Sequence, residues 1–234
     1  MINLGSTDFH LRVPSIPATD LEQLSTTLFD SWESHVEHSL ALPDYSLFLQ
    51  VEEGSIKGAG KIGAALVAIY FGIGNYGDFI SGLKTINEQL ATTREFLAVQ
   101  AGQVFSCPAP KASSKKSGGS LSSLQRLFVR VQKGELTPDQ ALARAEVLLG
   151  DELRRETGFF RDLENSLRNC PRFHEQLPLQ LSNLDDEEIF DLEQPKRPIQ
   201  QPRPQLTLGP SLQFRVEVWR DSKKKRKQTR VVRL

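Results

Sequence analysis

The densest chemistry in this sequence is a run of five cations, Lys223, Lys224, Lys225, Arg226 and Lys227. Adjacent ammonium and guanidinium groups repel one another, and an anion relieves that repulsion. Such runs bind nucleic acid, anionic lipid headgroups or acidic proteins. Arg220 and Arg230 flank the run and complete the expected partner-binding set. The plainer role is a charged hairpin tip that keeps sheet edges from pairing. A second charge run, Asp185, Asp186, Glu187 and Glu188, offers an internal counter-charge, so a weak intramolecular latch is a third reading.

Gly58, Gly60 and Gly63 spell G-x-G-x-x-G ahead of an apolar stretch. In a dinucleotide fold these glycines let the backbone approach a pyrophosphate at a helix N-terminus. Here no acidic residue closes a second strand about 20 residues on, where the ribose contact belongs. Small residues at Gly58, Gly63, Ala64, Ala68 and Gly72 suit close helix packing instead, in self-association or against a membrane. The uninterrupted apolar part spans about 20 Å as a helix, short of the roughly 30 Å hydrocarbon core. A buried core helix is the ordinary alternative.

His35 and His38 lie three apart on a predicted helix, a spacing that can share a metal, but no third ligand is nearby in sequence. No serine sits in a nucleophile elbow, and neither Cys107 nor Cys170 lies in a nucleophile motif. No catalytic residue, metal site, cofactor or small-molecule substrate is expected.

These groups must be positioned by a mixed set of elements. Residues 1–105 read as an α+β domain. Phe9, Leu11 and Val13 alternate as in a strand, and Leu21, Leu24, Leu28, Trp32 and Val36 follow at helical spacing. Tyr45, Leu47, Leu49 and Val51 alternate again, the glycine-rich apolar helix comes next, and a second helix runs over about 78–99. Residues 106–120, rich in Ser, Lys, Gly and Pro, read as a flexible linker. Residues 121–183 read as a helical region. Within it, Gly134 suits a C-cap, and Thr137-Pro138-Asp139-Gln140 a capped helix start. Residues 184–210 read as an acidic and then Pro-rich linker. Residues 211–234 read as a β-hairpin with a basic tip, Phe214, Val216 and Val218 alternating before Trp219.

Lys and Arg number 29, as do Asp and Glu, so local charge decides more than the net. Two distant cysteines point to free thiols in a reducing compartment. The first 14 residues have neither a basic n-region nor an apolar h-region, so no cleaved leader is expected there. The expectation is a cytoplasmic, non-catalytic adaptor or assembly protein, at most peripheral to a membrane. It would contact itself or a membrane surface through the glycine-rich segment and a protein partner through the basic tip. The alternatives are a nucleic-acid-binding accessory protein, and a small nucleotide binder or enzyme using the Gly58–Gly63 loop.

Overall fold

A computed structural model describes residues 1–75, 78–108, 111–171 and 213–234. The described residues form a mixed α+β structure around one six-stranded antiparallel sheet, ordered β4-β1-β3-β2-β5-β6. The strands are β1 (Ile2–Leu11), β2 (Ser46–Glu52), β3 (Lys57–Ala64), β4 (Ala112–Gly118), β5 (Phe214–Arg220) and β6 (Gln228–Arg233). The helices are α1 (Ala18–Ser39), α2 (Leu66–Gly74), α3 (Phe79–Val104), α4 (Ser120–Gln132), α5 (Pro138–Leu149), α6 (Asp151–Arg155) and α7 (Thr157–Arg168). The acidic and Pro-rich expectation for 184–210 falls outside the described residues.

Period-two burial assigns the two faces of the sheet. Leu47, Leu49 and Val51 of β2 and Val216 and Val218 of β5 are buried. They join a core that Leu21, Leu28, Trp32 and Val36 of α1 and Leu83, Leu90 and Leu97 of α3 complete. Gly60 of β3 faces these helices: a Cβ there would lie 2.1 Å from Leu97 and 3.2 Å from Trp32. Its register partner on β1, Thr7, is buried and donates through Oγ1 to the Arg94 carbonyl of α3.

The structure corrects the glycine-rich segment. Gly58 to Ala64, expected to open an apolar helix, is strand β3, and the helix occupies only Leu66–Gly74. A tight turn explains this. Gly54 and Ser55 have φ of 85° and 62°, which folds β3 back onto β2 as a hairpin. The glycines then serve close approach across the sheet. Phe9 of β1 lies over Gly58, where a Cβ would come within 2.0 Å of its ring.

Two further expectations change. Residues 112–118 of the expected linker form β4, paired with β1 from Gly5↔Gly118 to Leu11↔Ala112. An edge strand needs no apolar face, because its backbone bonds hold it, and lysines there discourage further pairing. The C-terminal hairpin, expected as a separate unit on a tether, continues the sheet through β2–β5 pairing. The helical region is held to the same core by Leu121, Leu124, Phe128, Phe159 and Leu163.

Candidate basic and aromatic surface

The β5–β6 turn carries the cation run, and the structure divides it into held and free charges. Asp44, just before β2, accepts from Ser222 Oγ and from the Lys223 backbone N–H, both at 2.8 Å. One carboxylate thus anchors the turn by satisfying its polar groups. The Lys223 ammonium lies 5.9 Å from the centroid of the buried Tyr45 ring. On α1, Glu33 pairs with Arg220 Nε at 2.9 Å, and Asp30 pairs with Lys227. Lys225 is 3.5 Å from Asp221. Among the described residues, Lys224, Arg226, Arg230 and Arg233 have no acidic partner, and all four are exposed.

Asp30, Glu33 and Glu37 form a stripe along α1 at helical spacing, facing the base of the hairpin. Burial raises the Glu33 carboxyl above its ordinary range. Arg220 opposes that shift, Glu37 and Asp30 add to it, and Lys227 opposes it. Burial likewise pushes the Tyr45 phenol up, with Glu37 and Glu33 adding to it. The acidic tract 185–188, expected as the counter-charge, lies outside the described residues; the counter-charges that are described come from α1 and from Asp221 of the turn itself.

The sheet face opposite α1 and α3 has a feature that was missed in the sequence. Lys61 of β3 is the register partner of Phe48 on β2, and Phe48 is the partner of Trp219 on β5. The row extends to Ser6 on one side and Gln228 on the other. Lys61 is exposed, and both aromatic side chains are partly exposed. Phe48, Trp219 and Lys61 help to line a shallow cavity of about 320 Å³ at this end of the sheet. A signal was present: Phe48 is an aromatic residue on the side of β2 otherwise occupied by Ser46, Gln50 and Glu52.

The small residues proposed for self-association or membrane contact point inward or sit in the sheet. Gly58, Ala64, Ala68 and Gly72 are buried, and Gly63 is half-buried. At Gly72 a Cβ would come within 2.7 Å of Leu42 and 3.1 Å of Ile86. Their close approach is made within the chain. The outward side of α2 instead carries Val67 and Phe71, 40% and 67% exposed. Among the described residues no helix is long and apolar enough to cross a membrane.

The G-x-G-x-x-G residues lie inside a strand, away from the N-terminus of α2 at Leu66. The His35 ring stacks on Phe96 at 4.0 Å, while His38 Nδ1 lies 2.6 Å from the Ser34 carbonyl, so the two histidines serve different contacts. Cys107 and Cys170 are free and buried. Against known proteins, the chain matches no family model, no curated protein and no solved structure.

Proposed function

We propose that this chain is a non-catalytic nucleic-acid-binding protein that engages its ligand through the β5–β6 end of the sheet. One observation carries the reading. Lys224, Arg226 and Arg230 are exposed without an acidic partner among the described residues, while Arg220 and Lys227 are held by α1. Asp44 and the α1 stripe hold the turn in place, so the free cations stand on a rigid support. A fixed array loses less entropy on contact with a phosphate backbone than a mobile tail does.

The test is an equilibrium titration of a short DNA across a salt series. Contact with three or four phosphates gives a slope of log K against log salt of about −3. Replacing Lys223, Lys224, Lys225 and Arg226 by Ser is expected to flatten the slope while leaving the melting temperature close to that of the parent. Absence of DNA binding by the intact chain removes the reading.

Self-association is a second reading, favoured by the exposed Phe71 and Val67, one turn apart on α2. If a second copy covers them, Phe71→Ser will lower the sedimenting mass. A parent chain that sediments as a monomer ends that reading.

A further inference from the structure

We propose that the Phe48–Trp219 row of the open sheet face takes the bases of a single-stranded nucleic acid, with Lys61 beside its phosphate backbone. The inference rests on the nucleic-acid reading and names the strand form that the same end of the sheet selects.

The argument starts from register. Antiparallel partners share a face, so Lys61, Phe48 and Trp219 stand side by side across three adjacent strands. The opposite face of these strands packs against α1 and α3, so the core does not require large apolar side chains on this one. Two aromatic residues are nonetheless placed next to each other here, at the edge of a cavity of about 320 Å³. That volume lies at the low end for a small-molecule or base pocket.

Charge then selects the ligand. Among the described residues the strands of the open face carry three acids, Asp8, Glu52 and Glu217, none of them in the aromatic row. A fourth acid, Asp221, lines the cavity just past β5, where Lys225 lies 3.5 Å from it. Asp8 and Glu217 lie in the neighbouring row, with Ala59 and Gln50 between them. Glu52 is in the row beyond and is ion-paired with Arg215 at 2.6 Å. The aromatic row itself contains one charge, the Lys61 cation. From Trp219 the chain passes through Arg220, paired with Glu33, and Asp221, paired with Lys225, into the basic turn, where Lys224 and Arg226 are exposed. An aromatic surface between a lysine and a cation cluster complements a ligand with flat faces and a charged backbone. A duplex keeps its bases stacked inside and can offer only phosphates. A single strand offers both, and stacking on aromatic side chains is tolerant of sequence.

The experiment uses the full chain and two probes, a thymidine oligonucleotide of about 15 nucleotides and the corresponding duplex. The chain has two tryptophans, and Trp32 is buried at 1% exposure, so fluorescence quenching by ligand reports on Trp219. Single strand is expected to quench and to bind more tightly than duplex. Phe48→Ala and Trp219→Ala are each expected to weaken single-strand binding by about ten-fold or more, with a smaller effect on duplex. Phe48→Tyr and Trp219→Phe keep a ring and are expected to restore most of the affinity, which separates stacking from misfolding. If both alanine variants bind the single strand as the parent does, while the tip variant loses binding, the inference fails and the nucleic-acid reading stands. Equal losses for single strand and duplex also overturn it. If the parent binds neither probe, the reading and the inference fall together.

Discussion

Glu33 Oε1 lies 2.9 Å from Arg220 Nε, joining the middle of α1 to the last residue of β5 across the helix–sheet interface. The pair is asymmetric in environment. Glu33 is buried at 9% exposure and has Asp30 and Glu37 as neighbours, which is why its carboxyl stays above the ordinary range despite the guanidinium. A carboxyl that holds its proton more tightly when folded favours the fold most at low pH. That contribution is lost as pH rises through the folded-state value.

The first prediction follows from that sign. The stability advantage of the parent over Glu33→Gln is expected to shrink as pH rises from about 4.5 toward neutrality, because only the parent carries this titration. Urea unfolding of both chains at several pH values measures it. Parallel stability curves would show that Glu33 titrates as an ordinary surface acid.

The second prediction uses two glycines of one helix. Glycine in a helix interior costs about 1 kcal/mol relative to alanine, so Gly→Ala ordinarily stabilises. At Gly102 of α3 the nearest neighbour of an added Cβ is 3.8 Å away, and Gly102→Ala is expected to raise the melting temperature. At Gly82 the added Cβ would lie 2.5 Å from the Ile73 carbonyl oxygen and 2.9 Å from its Cα, both backbone atoms of α2. Gly82→Ala is expected to cost about 1–3 kcal/mol through overpacking. Thermal melts of the two variants should therefore move in opposite directions.

Local chemistry made part of this fold legible. Thr137 and Gln140 form the reciprocal capping box that their spacing implies, with Gln140 N–H donating to Thr137 Oγ1 and Thr137 N–H to Gln140 Oε1. Gly134, at φ 74°, ends the preceding hydrogen-bonded turn. The alternation in β2 and β5 identified the buried faces correctly. What failed was non-local. Pairing with β1 turns 112–118 into a strand, and nothing within that polar segment encodes the pairing. The same loss hid the proposed binding surface: Lys61, Phe48 and Trp219 become neighbours only through strand order. At Thr19 and Glu22 the same capping-box spacing misleads, since α1 begins at Ala18 after Pro17, without a side-chain cap.

A third prediction tests the legible part. Thr137→Ala removes an acceptor for the Gln140 N–H at the start of α5 and is expected to cost about 0.5–2 kcal/mol. Thr137→Ser keeps the oxygen and should cost much less. Equal losses from both would place the effect in the methyl group rather than in the cap.

The last prediction concerns the acids that restrain the basic end. Asp30 pairs with Lys227, and Glu33 holds Arg220, so α1 neutralises two cations at the basic end. Asp30 is the more exposed of the two acids, its side chain 54% accessible against 12% for Glu33, and it can be changed with less disturbance to the core. Asp30→Asn removes the partner charge while keeping the shape and a polar group beside Lys227. On the nucleic-acid reading, one more cation then reaches the phosphate backbone. The slope of log K against log salt should steepen by about 0.9 on duplex DNA, and affinity should rise most at low salt. The matching change at the anchor acts differently. Asp44→Asn weakens the carboxylate that accepts from Ser222 and Lys223 without freeing a paired lysine. It should therefore lower affinity by loosening the turn and leave the slope nearly unchanged. Titrations of the two variants across the same salt series separate the effects. If Asp30→Asn leaves both slope and affinity at parental values, Lys227 does not lie in the contact.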